Sequence, residues 1–76
     1  MDYIEVSLKL NPFRPFNEIL VAQLGELPFD SFLEEEDDSL VKAYILEDDF
    51  VEADLLAAFA PFEGMVEIEH SVQKIE

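Results

Sequence analysis

The sequence has no cysteine and no tryptophan, only two glycines, and four basic residues, Lys9, Arg14, Lys42 and Lys74. Each shortage excludes something. Without cysteine there is neither a disulfide framework nor a thiolate metal centre. Gly25 and Gly64 stand far apart, so no glycine-rich loop can cradle a phosphate. Nineteen acids outweigh the four cations and leave a formal net charge of −15. Such a chain repels nucleic acid and anionic lipid, and it attracts basic partners through salt-sensitive forces. The same surplus also serves plain solubility. No apolar run approaches the ~18 residues of a membrane span, and the early Asp2 and Glu5 do not suit a signal peptide. The expectation is a soluble cytoplasmic protein with no nucleic-acid or membrane partner.

What is present is apolar. Half of the 76 residues are hydrophobic and seven are Phe, too much for a disordered chain despite the charge. The length suits one domain over residues 1–76. Its core supplies roughly 3–5 kcal/mol of net stability, which leaves a place for a second domain or subunit against part of the surface.

Hydrophobic periodicity then orders the chain. In "YIEVSLKL", Ile4, Val6, Leu8 and Leu10 take one side, and Tyr3, Glu5, Ser7 and Lys9 the other, which is a half-buried strand. "NPFRP" ends it, and Pro15 suits a helix start. Phe16, Ile19, Leu20, Leu24 and Leu27 form a helical stripe that Gly25 and Pro28 close. "FDSFLEE" and "SLVKAYIL" read as a hairpin, with Val41, Ala43 and Ile45 on one face and Lys42 and Tyr44 on the other. In "EDDFVEADLLAAFAPF" a second helix is expected. Asp49 and Glu52 fit an N-terminal capping arrangement at its start, Val51, Leu55, Ala58, Phe59 and Phe62 make its apolar side, and Pro61 stops it. A last strand alternates Val66, Ile68 and Val72 with Glu67, Glu69 and Ser71. The order βαββαβ predicts an α+β fold: a ferredoxin-like sandwich, four antiparallel strands in the order 4-1-3-2 with both helices on one face.

The acidic run Glu34 to Asp38 is the most conspicuous candidate site. A calcium loop needs alternating oxygen ligands and a sharp glycine turn, and this run has neither. It reads as a solvated turn that guards an edge, with docking of a basic partner as the other use. His70, the sole histidine, falls on the apolar side of the last strand and reads as a packed residue. Glu67 and Glu69 point together, but on an open sheet face nothing separates the two carboxylates into acid and base, so they read as solvated. Tyr3 and Tyr44 offer aromatics on that face, yet the acidic surround is wrong for RNA. No nucleophile–base constellation is visible. Catalysis by this chain alone is not expected.

The stretches "MDYIEVSL", "LVAQLGELPFDSFLEEEDDSLVKAYI" and "VEIEHSVQKIE" together resemble the N-terminal domain of the bacterial ribosomal protein L-eleven methyltransferase (PrmA) family. The likeness covers nearly the whole chain and lies in the combination, order and lengths rather than in any one motif. In that family the segment is a ferredoxin-like substrate-recognition domain, followed by a linker and a Rossmann-like catalytic domain that binds S-adenosylmethionine. The resemblance therefore implies the front part of a larger methyltransferase. Its partners would be a large-subunit ribosomal protein as substrate and the catalytic domain in the parent chain, with no cofactor in this segment. The expected contact surface is the open sheet face, with Tyr3 and Tyr44 as anchors and Glu5, Glu67 and Glu69 around them. A free-standing ferredoxin-like module, regulatory or oligomeric, is the alternative.

Overall fold

A computed structural model describes residues 2–75. Six elements follow in the expected order: β1 (Tyr3–Asn11), α1 (Phe16–Leu24), β2 (Ser31–Glu35), β3 (Leu40–Leu46), α2 (Glu52–Phe59) and β4 (Glu67–Ile75). The strands form one antiparallel sheet in the order β2-β3-β1-β4. This is the α+β arrangement that the alternations imply, compatible with a ferredoxin-like sandwich. β1 and β3 are central, and β2 and β4 are the edges.

The core is built from one face of the two central strands. Ile4, Val6, Leu8 and Leu10 of β1 and Val41, Ala43 and Ile45 of β3 are buried beneath Leu20, Leu24, Leu55, Ala58 and Phe62. The Phe16 and Phe62 rings meet edge to face at 6.3 Å and tie the start of α1 to the turn after α2. That turn, Ala60–Phe62, is a tighter 3₁₀ continuation that begins just before Pro61. Gly64 follows at φ 81°, a left-handed conformation that costs glycine nothing.

One helix face and one helix start differ from the sequence expectation. In α1 the inward positions are Asn17, Leu20 and Leu24, while Ile19 is 47 % exposed. At ~100° per residue, Ile19 lies about 100° from Leu20 on the side away from Leu24, whereas Asn17 falls on the same side as Leu24. In the second helical region, Asp49 is not a cap. Glu47–Asp49 forms a separate 3₁₀ turn, Phe50 and Val51 are extended, and α2 starts at Glu52 without a side-chain cap. The extended step packs Phe50 against the core and leaves Val51 50 % exposed. Glu52 and Asp54 still occupy the first turn, where the helix dipole favours acids.

β4 is the third difference. Its register places Ile68 beside Leu10, His70 beside Leu8 and Val72 beside Val6, so these residues do take the helix side of the sheet. Only Ile68 is partly buried, and Val72 is 39 % exposed. The helices cover β1 and β3 and leave this edge bare. His70 lies with its ring 5.4 Å from that of Phe59 but is an exposed residue, not a packed one.

Candidate functional site

The face of the sheet away from the helices carries the residues that the sequence analysis singled out. Strand register fixes their order. Tyr3 lies between Ile75 and Leu46; Glu5 between Gln73 and Tyr44; Ser7 between Ser71 and Lys42; Lys9 between Glu69 and Leu40; and Asn11 is beside Glu67. Beyond β3, Ser31 adjoins Tyr44, Leu33 adjoins Lys42 and Glu35 adjoins Leu40. Alternation alone puts all of these side chains on one surface.

The two tyrosines are held by carboxylates. The Tyr44 hydroxyl donates to Glu5 at 2.9 Å, and the Tyr3 hydroxyl donates to Asp30 at 2.9 Å. The hydrogen bond to Glu5 raises the Tyr44 phenol above its ordinary pKa, with a smaller contribution from burial. The bond to Asp30, and then that residue's charge, raise Tyr3 in the same way. Lys42 is raised chiefly by the charge of Glu35, 3.4 Å away. Both rings therefore have their polar ends anchored at the sheet, with Tyr3 36 % exposed and Leu33 48 % exposed on the same surface.

Glu67 and Glu69 do not surround the tyrosines. They share the face, but Glu69 is level with Lys9, and Tyr44 is level with Glu5. Four residues along β1 separate those rows, about 13 Å at ~3.3 Å per residue. Of the three expected flanking acids, Glu5 alone touches an aromatic anchor. The tyrosine end and the acidic end form two separate halves of one surface. Asp30 was missed, although its place just before β2 puts it within reach of Tyr3 once the hairpin register is known.

The side chains of the run Glu34 to Asp38 diverge. Glu34 accepts a hydrogen bond from the Asn17 amide at 2.6 Å, Glu35 pairs with Lys42, and Glu36 pairs with Arg14. Arg14 also reaches Glu18, at 4.0 Å. The guanidinium holds the Glu36 carboxyl below its usual range. Glu36–Asp38 forms a 3₁₀ turn that Ser39 closes at φ 55°. Three acids thus reach three different partners, and their oxygens do not converge on one point. Among the described residues, no group of three or more His, Cys, Asp or Glu side chains could hold a metal ion.

A groove of about 370 Å³ lies where the end of α2 meets the start of β4, lined among others by Leu56, Phe59, Phe62, Val66 and Ile68. Its named side chains are mostly apolar, Glu63 also lines it, and it holds no acid–base pair. No helix among the described residues is long and apolar enough to cross a membrane. No family model, curated protein or solved structure matches this chain.

Proposed function

We propose that this domain recognises a protein substrate for a catalytic domain elsewhere in the same parent protein. In this reading it belongs to a cytoplasmic, S-adenosylmethionine-dependent ribosomal protein methyltransferase. The domain itself would bind the basic large-subunit ribosomal protein, and the cofactor would sit in the catalytic domain. The observation that carries the reading is the helix-free sheet face, where Tyr3 and Tyr44 are pinned by Asp30 and Glu5. Aromatic rings fixed before contact lose little freedom on binding, and such anchors carry more energy than rim charges. The −15 balance and the resemblance of the sequence to the PrmA family support the choice of a basic ribosomal protein.

Kinetics on immobilised ribosomal protein at two ionic strengths test the proposal. Tyr44→Ala removes an anchor and should speed dissociation roughly tenfold. Glu67→Gln with Glu69→Gln removes distant charge and should mainly slow association and flatten its salt dependence. Binding that is absent, or that Tyr44→Ala leaves unchanged, contradicts the reading.

A stand-alone oligomerisation module is the second reading. The bare edge of β4 favours it, and the like charge on every copy counts against it. Sedimentation of the chain at low and high salt separates the two: a salt-independent dimer supports the module.

A further inference from the structure

The two edges of the sheet differ in how they meet solvent. β2 has five residues, and Glu34 on its helix side is an inward charge tied to Asn17. Shortness and an inward charge are common guards against pairing with another strand. β4 has nine residues, contains no proline, and runs against β1 through nine consecutive pairs without a bulge. Its single lysine is at the far end, where Lys74 is bound to both Asp2 and Glu47 at 3.3 Å. The outer edge of β4 therefore offers a long, regular row of backbone donors and acceptors with little to block it.

The two sides of that edge are chemically distinct. On the helix side, Ile68 and Val72 alternate with His70, and Phe59 and Leu56 continue the apolar surface into the groove beside α2. On the other side stand Glu67 and Glu69, with Lys9 beside Glu69, followed by Ser71 and Gln73, whereas Glu63 lies on the groove side. A strand added here would turn alternate side chains toward an apolar trough and toward carboxylates. We infer that the outer edge of β4 accepts an extended peptide segment in which apolar and basic residues alternate, adding a fifth strand to the sheet. This is strand addition, with backbone hydrogen bonds for affinity and alternate side chains for selection. Charge complementarity selects the occupant: a second copy would bring the same −15, whereas a lysine-bearing strand meets Glu67 and Glu69 with opposite sign. The site is distinct from the open-face tyrosines, and its outcome does not depend on which protein supplies the strand.

The test titrates the whole chain with a capped Lys-Val-Lys-Val-Lys-Val-Lys peptide while backbone amide resonances are followed. Three control peptides accompany it: one with Glu in place of Lys, and two N-methylated at alternate amides, one in each register. Perturbation should centre on β4 and the end of α2, and weaken as salt is raised. Affinity should fall roughly tenfold or more with the better of the two possible N-methylation registers. Val72→Lys, at a position already 39 % exposed, should weaken binding comparably while circular dichroism shows the fold intact. No saturable shift up to about 1 mM peptide, a weak-binding limit, overturns the inference. So does equal binding of the Glu peptide, perturbation confined to the open face around Tyr44, or a dimer in which β4 already pairs with a second β4.

Discussion

At the scale of single residues, Tyr3 and Tyr44 are positioned by their hydroxyls rather than by burial of their rings. Each donates to a carboxylate that is not next to it in sequence, and both phenols are raised above the ordinary value. The pH consequence has a definite sign. Below pH ~10, the ordinary tyrosine value, both folded and unfolded chains keep the proton and the stabilisation is complete. Above it the unfolded chain loses protons first, so stability declines as pH rises through the raised folded-state values. Lys42 and Lys74, raised by their acidic neighbours, act in the same direction slightly higher. Urea midpoints should therefore be level below about pH 10 and drop as pH rises above it. Tyr44→Phe, which has no phenol to titrate, should show a shallower decline. An alkaline limb that is identical in the variant would mean that the Tyr44–Glu5 bond is not formed in solution.

At the scale of elements, what could be read from the sequence depended on how much chain repeats the signal. β1 was legible because Ile4 to Leu10 alternate without exception and all four apolar residues are buried. β3 was legible for the same reason through Val41, Ala43 and Ile45. Short helices offer fewer turns to average over. Over the nine residues of α1 the pattern put Ile19 on the stripe and Asn17 off it, and tertiary packing chose the polar one. β4 alternates less strictly than β1, with His70 and Lys74 among its helix-side residues, and alternation reports the face and not whether anything covers it. The order 4-1-3-2 already made β4 an edge, but neither the groove beside α2 nor the lack of cover over β4 could be seen without the helices in place.

Asn17 joins α1 to β2. It is 3 % exposed and gives its amide to Glu34, while its Oδ1 is buried with no protein partner. An unpaired buried acceptor costs about 1–3 kcal/mol, comparable to or more than the net worth of an ordinary hydrogen bond. Asn17→Leu removes that acceptor and frees Glu34, itself exposed, into solvent. Its stability should stay within about 1 kcal/mol of wild type or exceed it. Asn17→Asp sets a second carboxylate against Glu34 and should be the less stable of the two at pH 7. Chemical denaturation of both variants decides: a strongly destabilised Leu variant would show that the Asn17–Glu34 bond contributes more than its orphaned oxygen costs.

At the scale of the whole molecule, the sandwich divides its labour between two sides. Helices seal one side of β1 and β3 and leave the other side as a continuous surface, with tyrosines at one end and acids at the other. The internal ion pairs consume Arg14, Lys42 and Lys74, so the acidic surplus is carried outward. That distribution suits a partner of opposite charge and sets long-range attraction apart from local contact. In the run Glu34 to Asp38, the first three acids fasten α1, β3 and the segment before α1 to the hairpin.

The proposed contact is between the helix-free face of the sheet and a basic ribosomal protein. Leucine methyl resonances test it most directly, because leucines stand on both sides. Leu33, Leu40 and Leu46 share the open face with Tyr44, whereas Leu56 is 46 % exposed on the helical side. On addition of the large-subunit ribosomal protein at low salt, the account predicts broadening or shifts at Leu33, Leu40 and Leu46, with Leu56 unchanged. Perturbation of Leu56 with Leu33, Leu40 and Leu46 unmoved, or no perturbation of any of them, would contradict it.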